Sequence, residues 1–134
     1  MAETIELTCI RCPIGCQLSA VLEDGTVVRV SGNTCSRGEA YARAEVADPR
    51  RTVTGTVAVR GGAWPVTSVK TVPDVPKDAV LDVARALSET VVDAPLAIGD
   101  VVVANVCGTG ADVVVTKPVD VQTGTVPFCT STCK

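Results

Sequence analysis

Seven of the 134 residues are cysteines, and four of them crowd the first 35 positions. Cys9-Ile10-Arg11-Cys12-Pro13-Ile14-Gly15-Cys16 reads C-x2-C-x3-C, and after eighteen intervening residues Cys35 adds a fourth thiol. Thiolates are ligands for soft metals, and three of them on one short loop suit a polymetallic group. A single Zn²⁺ holds its sulfurs ~3.8 Å apart, given Zn–S bonds of ~2.3 Å in a tetrahedron, and structural zinc sites usually draw on two separated C-x2-C pairs. A [4Fe-4S] cubane spreads its iron corners over a wider body, so one loop can wrap three corners while a remote segment takes the fourth. The spacing leans to iron–sulfur, with Cys9, Cys12, Cys16 and Cys35 as ligands. Zinc is the alternative, and a thiol or redox-disulfide role comes behind both.

The neighbouring residues fit a cofactor loop. Gly15 lets the chain pass close to a cluster without a Cβ, and Pro13 stiffens the loop and donates no competing N–H. Gly32 and Gly38 do the same around Cys35. Four thiolates on a [4Fe-4S]²⁺ core leave a net −2, which Arg11 and Arg37 can offset while raising the reduction potential; solvated surface charge is the other reading of both arginines. The remaining cysteines carry less. Cys107, in Val-Ala-Asn-Val-Cys-Gly, reads as a small buried hydrophobe. Cys129 and Cys133 form half a metal site at most, so a disulfide or two idle thiols is the better reading. Gly108-Thr109-Gly110 lacks the rest of a nucleotide-binding fingerprint and reads as a hairpin turn.

Composition narrows the function further. There are no histidines, which removes Ser-His, Cys-His and His-metal designs, so the chain is expected to be non-catalytic alone. Twelve basic against 15 acidic residues, net −3, and only three aromatics (Tyr41, Trp64, Phe128) argue against nucleic acid as a partner. Glu3 and Glu6 near the start, with no apolar run, give no signal-peptide pattern. No uncharged stretch approaches the ~20 apolar residues of a transmembrane segment. A cytoplasmic protein is expected, and in that reducing compartment close cysteines favour metal over disulfides.

The elements that must position these thiols follow from periodicity. Ile5 and Leu7 before Cys9, and Leu18, Ala20 and Leu22 after Cys16, alternate as half-buried strands. Residues 17–30 form a hairpin around Glu23-Asp24-Gly25, ending at the Gly32-Asn33 turn. Ser36-Arg37-Gly38-Glu39 has the form of a capping box, starting a helix over about 37–47 that stops at Asp48-Pro49. Val53, Gly55, Val57 and Val59 mark a strand, Gly61-Gly62 a turn, and 63–69 a partner strand. Val80, Val83, Ala84 and Leu87 mark the buried face of a second helix over 77–88. With 26 valines in the chain, 100–106 and 112–116 read as valine-rich strands. The prediction is α+β: a small cysteine-rich metal-binding N-terminal segment packed on a β-rich body with two helices. One domain spans 1–117, with a cluster-binding part at 1–50 and a β-rich part at 51–117; 118–134 reads as an extended or mobile tail.

Cys9-x2-Cys12-Pro13-x-Gly15-Cys16 with Gly32-Asn33-x-Cys35-x-Arg37-Gly38-x-x-Tyr41-Ala42-x-x-Glu45 resembles the family of small bacterial and archaeal proteins called domain of unknown function 1667 (DUF1667). The likeness runs on through Pro49-x-Arg51-x-x-Thr54, Val69-Lys70-Thr71, Pro76-Lys77, Ala94-Pro95, Gly99-Asp100 and Gly108-Thr109-Gly110-Ala111-Asp112-Val113, spanning about residues 5–117 and stopping before the tail. The cysteine segment is also similar to the [4Fe-4S] portion of molybdopterin oxidoreductases, although the large cofactor-binding body of those enzymes has no counterpart here. The resemblance implies an accessory electron-transfer subunit. Its partners would be an FAD-containing dehydrogenase subunit like glycerol-3-phosphate dehydrogenase and a second flavoprotein of pyridine-nucleotide-disulfide-oxidoreductase type. It leaves iron against zinc open. The expected function is thus a small iron–sulfur electron-transfer subunit of a flavoprotein oxidoreductase complex. The rival is a zinc-stapled assembly subunit of the same kind of complex, with a thiol redox sensor behind it.

Overall fold

Period-two burial builds the N-terminal part of the chain. Gln17–Glu23 (β2) buries Leu18, Ala20 and Leu22 on one face. It is the central strand of a three-stranded antiparallel sheet, between Glu3–Thr8 (β1) and Thr26–Ser31 (β3). The β2–β3 turn uses left-handed backbone at Asp24 (φ 50°) and Gly25 (φ 76°), which suits a tight hairpin. Helix Ser36–Ala47 (α1) lays Tyr41 and Ala42 on the sheet's apolar face. Two small clusters result: Cys9, Leu18, Tyr41 and Ala42 in one, Ala20, Leu22 and Val27 in the other.

The computed structural model describes residues 1–124, so Phe128, Cys129 and Cys133 lie outside the described residues. The chain divides into two compact units, Met1–Arg50 and a second beginning at Arg51. Among the described residues there are ten strands and two α-helices, an α+β fold on a β-rich body. No helix among them is long and apolar enough to cross a membrane.

The second unit is a five-stranded sheet in the order β8-β5-β6-β10-β9, made of Thr54–Arg60 (β5), Val66–Val72 (β6), Val91–Asp93 (β8), Val101–Val103 (β9) and Asp112–Val115 (β10). Its neighbours are antiparallel except β5 and β8, which pair in parallel. The crossover to that parallel strand contains a 3-10 turn, Lys77–Ala79, and helix Val80–Glu89 (α2). Two-residue strands Arg50–Arg51 (β4) and Val75–Pro76 (β7) pair with each other. Val57, Val69, Val83, Leu87, Val113 and Val115 form the core. Thr67 and Thr71 are buried with them, their hydroxyls bonded to the Lys117 carbonyl and the Val53 N–H.

Several local expectations change. The capping box does not form: Cys35 is the N-cap, Ser36 is already helical, and Glu39 pairs with Arg43 one turn on at 3.0 Å. In α2 the buried stripe takes Val83 and Leu87 with Val80 and Ala86 beside them, and Ala84 is exposed. The partner strand starts at Val66 rather than residue 63, because Gly61 and Ala63 bond instead to Gln122 and Asp120. The region read as a tail from Pro118 therefore begins as part of this unit. Val119 is buried and bridges Leu96, and Val121 bridges Gly62. Cys107 is exposed rather than buried: it sits at φ 51° in a 3-10 turn, where Val106 takes the core position and turns its neighbour outward.

Candidate functional site

The β1–β2 ladder runs from Glu3 opposite Leu22 to Thr8 opposite Gln17, and the Cys9 N–H bonds to the Cys16 carbonyl at 2.9 Å as one further rung. Cys9 and Cys16 thus face each other on the same side of the sheet as Leu7 and Leu18, two residues back along each strand. Cys9 is buried in the cluster with Leu18, Tyr41 and Ala42, and Cys16 packs at its margin. The six residues between them form the loop. Gly15 turns it with φ 63°, Cys12 is half-buried, and Arg11 and Pro13 are exposed. Ile10 and Ile14 are 63% and 72% exposed, an unusual presentation for two large aliphatic side chains so close together.

Cys35 arrives by a different route. After β3 the chain turns at Gly32, with φ 83°, so close to β2 that a Cβ there would lie 2.1 Å from the Gln17 carbonyl oxygen. Only glycine permits that approach. Asn33 Nδ2 then donates to the Cys35 carbonyl at 3.2 Å, and the Gly38 N–H donates to the same carbonyl at 3.1 Å. Gly38 is buried, and a Cβ on it would sit 3.6 Å from Leu18 Cδ2 and 3.0 Å from Asn33 Cβ. The first turn of α1 is therefore seated on Leu18, beside the Cys9–Cys16 rung. Thr34 places its Oγ1 3.2 Å from Cys16 Sγ.

Two of the four thiols are electrostatically prepared. The Thr34 hydroxyl, followed by the Thr34 backbone, holds the Cys16 thiol below its ordinary pKa, while desolvation and, less, negative charge on Cys35 oppose the effect. Cys35 is lowered too, first by the Arg37 and Gly38 N–H groups and then by the Arg37 side chain. The cap has no side-chain hydrogen bond of standard geometry. The effect is that of a thiol at a helix N-terminus, where free N–H groups favour the thiolate. The Arg37 guanidinium is raised in return, chiefly by Cys35 and also by the charges of Cys12 and Cys9. Arg37 and Arg11 are both exposed, and Arg37 is the one whose charge the neighbouring cysteines favour.

Together the four thiols would make an all-sulfur donor set, of the kind that soft metals take. Among the described residues no three His, Cys, Asp or Glu side chains converge on a point that could hold a metal ion. The role of Thr34 is absent from the sequence reading; a lone hydroxyl residue before Cys35 carries no periodic signal, and only the close approach at Gly32 brings it to Cys16. In the second unit, a groove of about 420 Å³ runs between β5 and α2, lined by Thr56, Val66, Ala84, Leu87 and Ser88 among others, with no titratable group in its wall. It offers no acid–base chemistry.

Known proteins resemble parts of this arrangement. An NMR structure of the Clostridium perfringens protein CPE0013 is 28% identical, with a TM-score of 0.51, over 59% of this chain and 94% of its own. No curated protein matches. The family model described as "Protein of unknown function (DUF1667)" matches residues 36–117. That stretch starts just after Cys35, so it takes in α1 and most of the second unit and none of the four cysteines; over it, the chain belongs to the DUF1667 family.

Proposed function

We propose that the chain is a cluster-carrying subunit in which Cys9, Cys12, Cys16 and Cys35 hold one [4Fe-4S] cluster and serve a flavin on a partner chain. The observation that carries this reading is the convergence of two separate routes on one end of the sheet. The Cys9–Cys16 rung closes the loop, and the turn at Gly32 brings Thr34 and Cys35 back beside it. When bound, such a cluster supplies one-electron transfer, which lets a flavin's two-electron chemistry be divided into single steps. The chain's own residues supply the rest. Cys9 anchors the group against Leu18 and Tyr41, Arg37 offsets thiolate charge, and Ile10 and Ile14 with Arg11 form an apolar face with a basic residue for docking.

The partners proposed are an FAD-containing dehydrogenase subunit and a second flavoprotein of pyridine-nucleotide-disulfide-oxidoreductase type, with the substrate reaction residing in the complex. Metal and acid-labile sulfide analysis of anaerobically purified protein, with a visible spectrum, tests the reading. Close to four irons and four sulfides per chain and a brown colour that bleaches on reduction are expected. Stoichiometric zinc in a colourless protein overturns it and leaves a structural staple.

A further inference from the structure

We propose that the Thr34 hydroxyl is the donor that holds Cys16 as a ligand and tunes the potential of the group the four cysteines carry. The inference rests on the iron–sulfur reading and assigns a positioning residue within it. Thr34 Oγ1 lies 3.2 Å from Cys16 Sγ, and either atom can donate while the thiol is protonated. Once the sulfur is bound as a thiolate it has no proton, so the hydroxyl alone can be the donor. A hydrogen bond to a ligating sulfur draws charge off the cluster and favours its more negative, reduced state, which raises the reduction potential.

The local backbone makes this contact a fixture. Gly32 presses the β3–α1 connection against Gln17, the residue after Cys16, and Asn33 is tied to the Cys35 carbonyl. Thr34 therefore stands between the two segments proposed to supply ligands, its hydroxyl 3.2 Å from Cys16 Sγ and its backbone joined to the N-cap Cys35. The four sulfurs are then unequal. Cys9 is packed among Leu18, Tyr41 and Ala42, Cys35 has helix N–H groups and Arg37, and Cys16 has Thr34.

The test uses full-length wild type, Thr34→Val and Thr34→Ser, each reconstituted with iron and sulfide without oxygen. Iron per chain is measured first, then the midpoint potential by optical redox titration. Valine keeps the shape and removes the donor, so its potential is expected to move negative at unchanged iron content, and serine is expected to restore it. Loss of iron in the valine variant alone, with retention in the serine variant, also supports a hydroxyl that holds Cys16. Equal potentials at equal iron overturn the inference while leaving the cluster reading intact, and so does equal loss of iron from both variants. A wild type that takes up no iron overturns the cluster reading and this inference with it.

Discussion

Gly32 and Gly15 both carry left-handed backbone beside the cysteines, but for different reasons. At Gly15 the nearest neighbour of an added Cβ is Thr8 Cγ2 at 3.9 Å, so Gly15→Ala meets only the dihedral penalty, about 1 kcal/mol. At Gly32 the same penalty adds to a 2.1 Å clash with a backbone carbonyl that no rotamer can relieve. Gly32→Ala is expected to cost roughly 3 kcal/mol and to loosen β1–β3 and the first turn of α1, read as faster amide exchange there. Similar exchange in the two variants would reject the close approach. The prepared thiols give a pH prediction. Protons compete with metal for thiolate, and both Cys16 and Cys35 have lowered pKa values, so retained metal falls away at a lower pH than for ordinary thiols. Thr34→Val removes the leading cause at Cys16 and moves that loss to higher pH. Arg37→Gln moves it less, because the N–H groups that lead at Cys35 survive the substitution; the measurement is metal per chain as pH is stepped down. The spacing of the four cysteines picks them out as candidate ligands, whereas nothing in the sequence pairs Thr34 with Cys16, which lies eighteen positions away and is reached only through a turn.

At the scale of elements, hydrophobic period located α2 and most strands within two or three residues, α1 was placed from a Ser-x-x-Glu pattern and a proline stop, and what depended on polar partners was misplaced. Ser36-x-x-Glu39 has the right residues for a capping box, yet the helix starts one residue earlier and Arg43 competes for the glutamate, bonding Glu39 and the Val27 carbonyl together. Ser36→Ala is therefore expected to change stability by under about 0.5 kcal/mol, where a working cap would cost ~1 kcal/mol. A chemical denaturation curve separates the two values, and the larger one would restore the box. In the second unit the apolar stripe of α2 is read correctly at Val83 and Leu87. Leu87 sits over Gly55, whose missing Cβ would stand 3.1 Å from Leu87 Cδ1, so Leu87→Ala opens a gap that no larger neighbour at 55 can fill. About 3 kcal/mol is expected from lost burial and the residual cavity. The strand starting at Val66 was misplaced because its predecessors pair with residues around 120, a contact between segments nearly sixty positions apart that no local pattern announces.

For the whole molecule the two units differ in how much core they own. Met1–Arg50 has 50 residues, and its buried apolar residues are seven, two of them alanine and one the candidate ligand Cys9. A chain of that length buries too little surface to be comfortably stable without a metal, a disulfide or a partner, and all four candidate ligands lie within it. Among the described residues the second unit has ten core residues around a five-stranded sheet, with threonine hydroxyls satisfied inside. The second unit extends past residue 117 through two isolated bridges, Val119 to Leu96 and Val121 to Gly62, which no local sequence pattern announces. If the cofactor supplies the stability that the first unit's core lacks, removing it should act on that unit alone. Anaerobic chelation is expected to raise amide exchange throughout residues 1–50 and to leave 51–124 as protected as before. Cys12→Ser and Cys16→Ser should reproduce that pattern with lowered metal content, and Cys107→Ala, on an exposed turn of the other unit, should do neither. Uniform exchange in loaded and stripped protein would mean that the small core suffices by itself, and the four thiols would then lose their structural role.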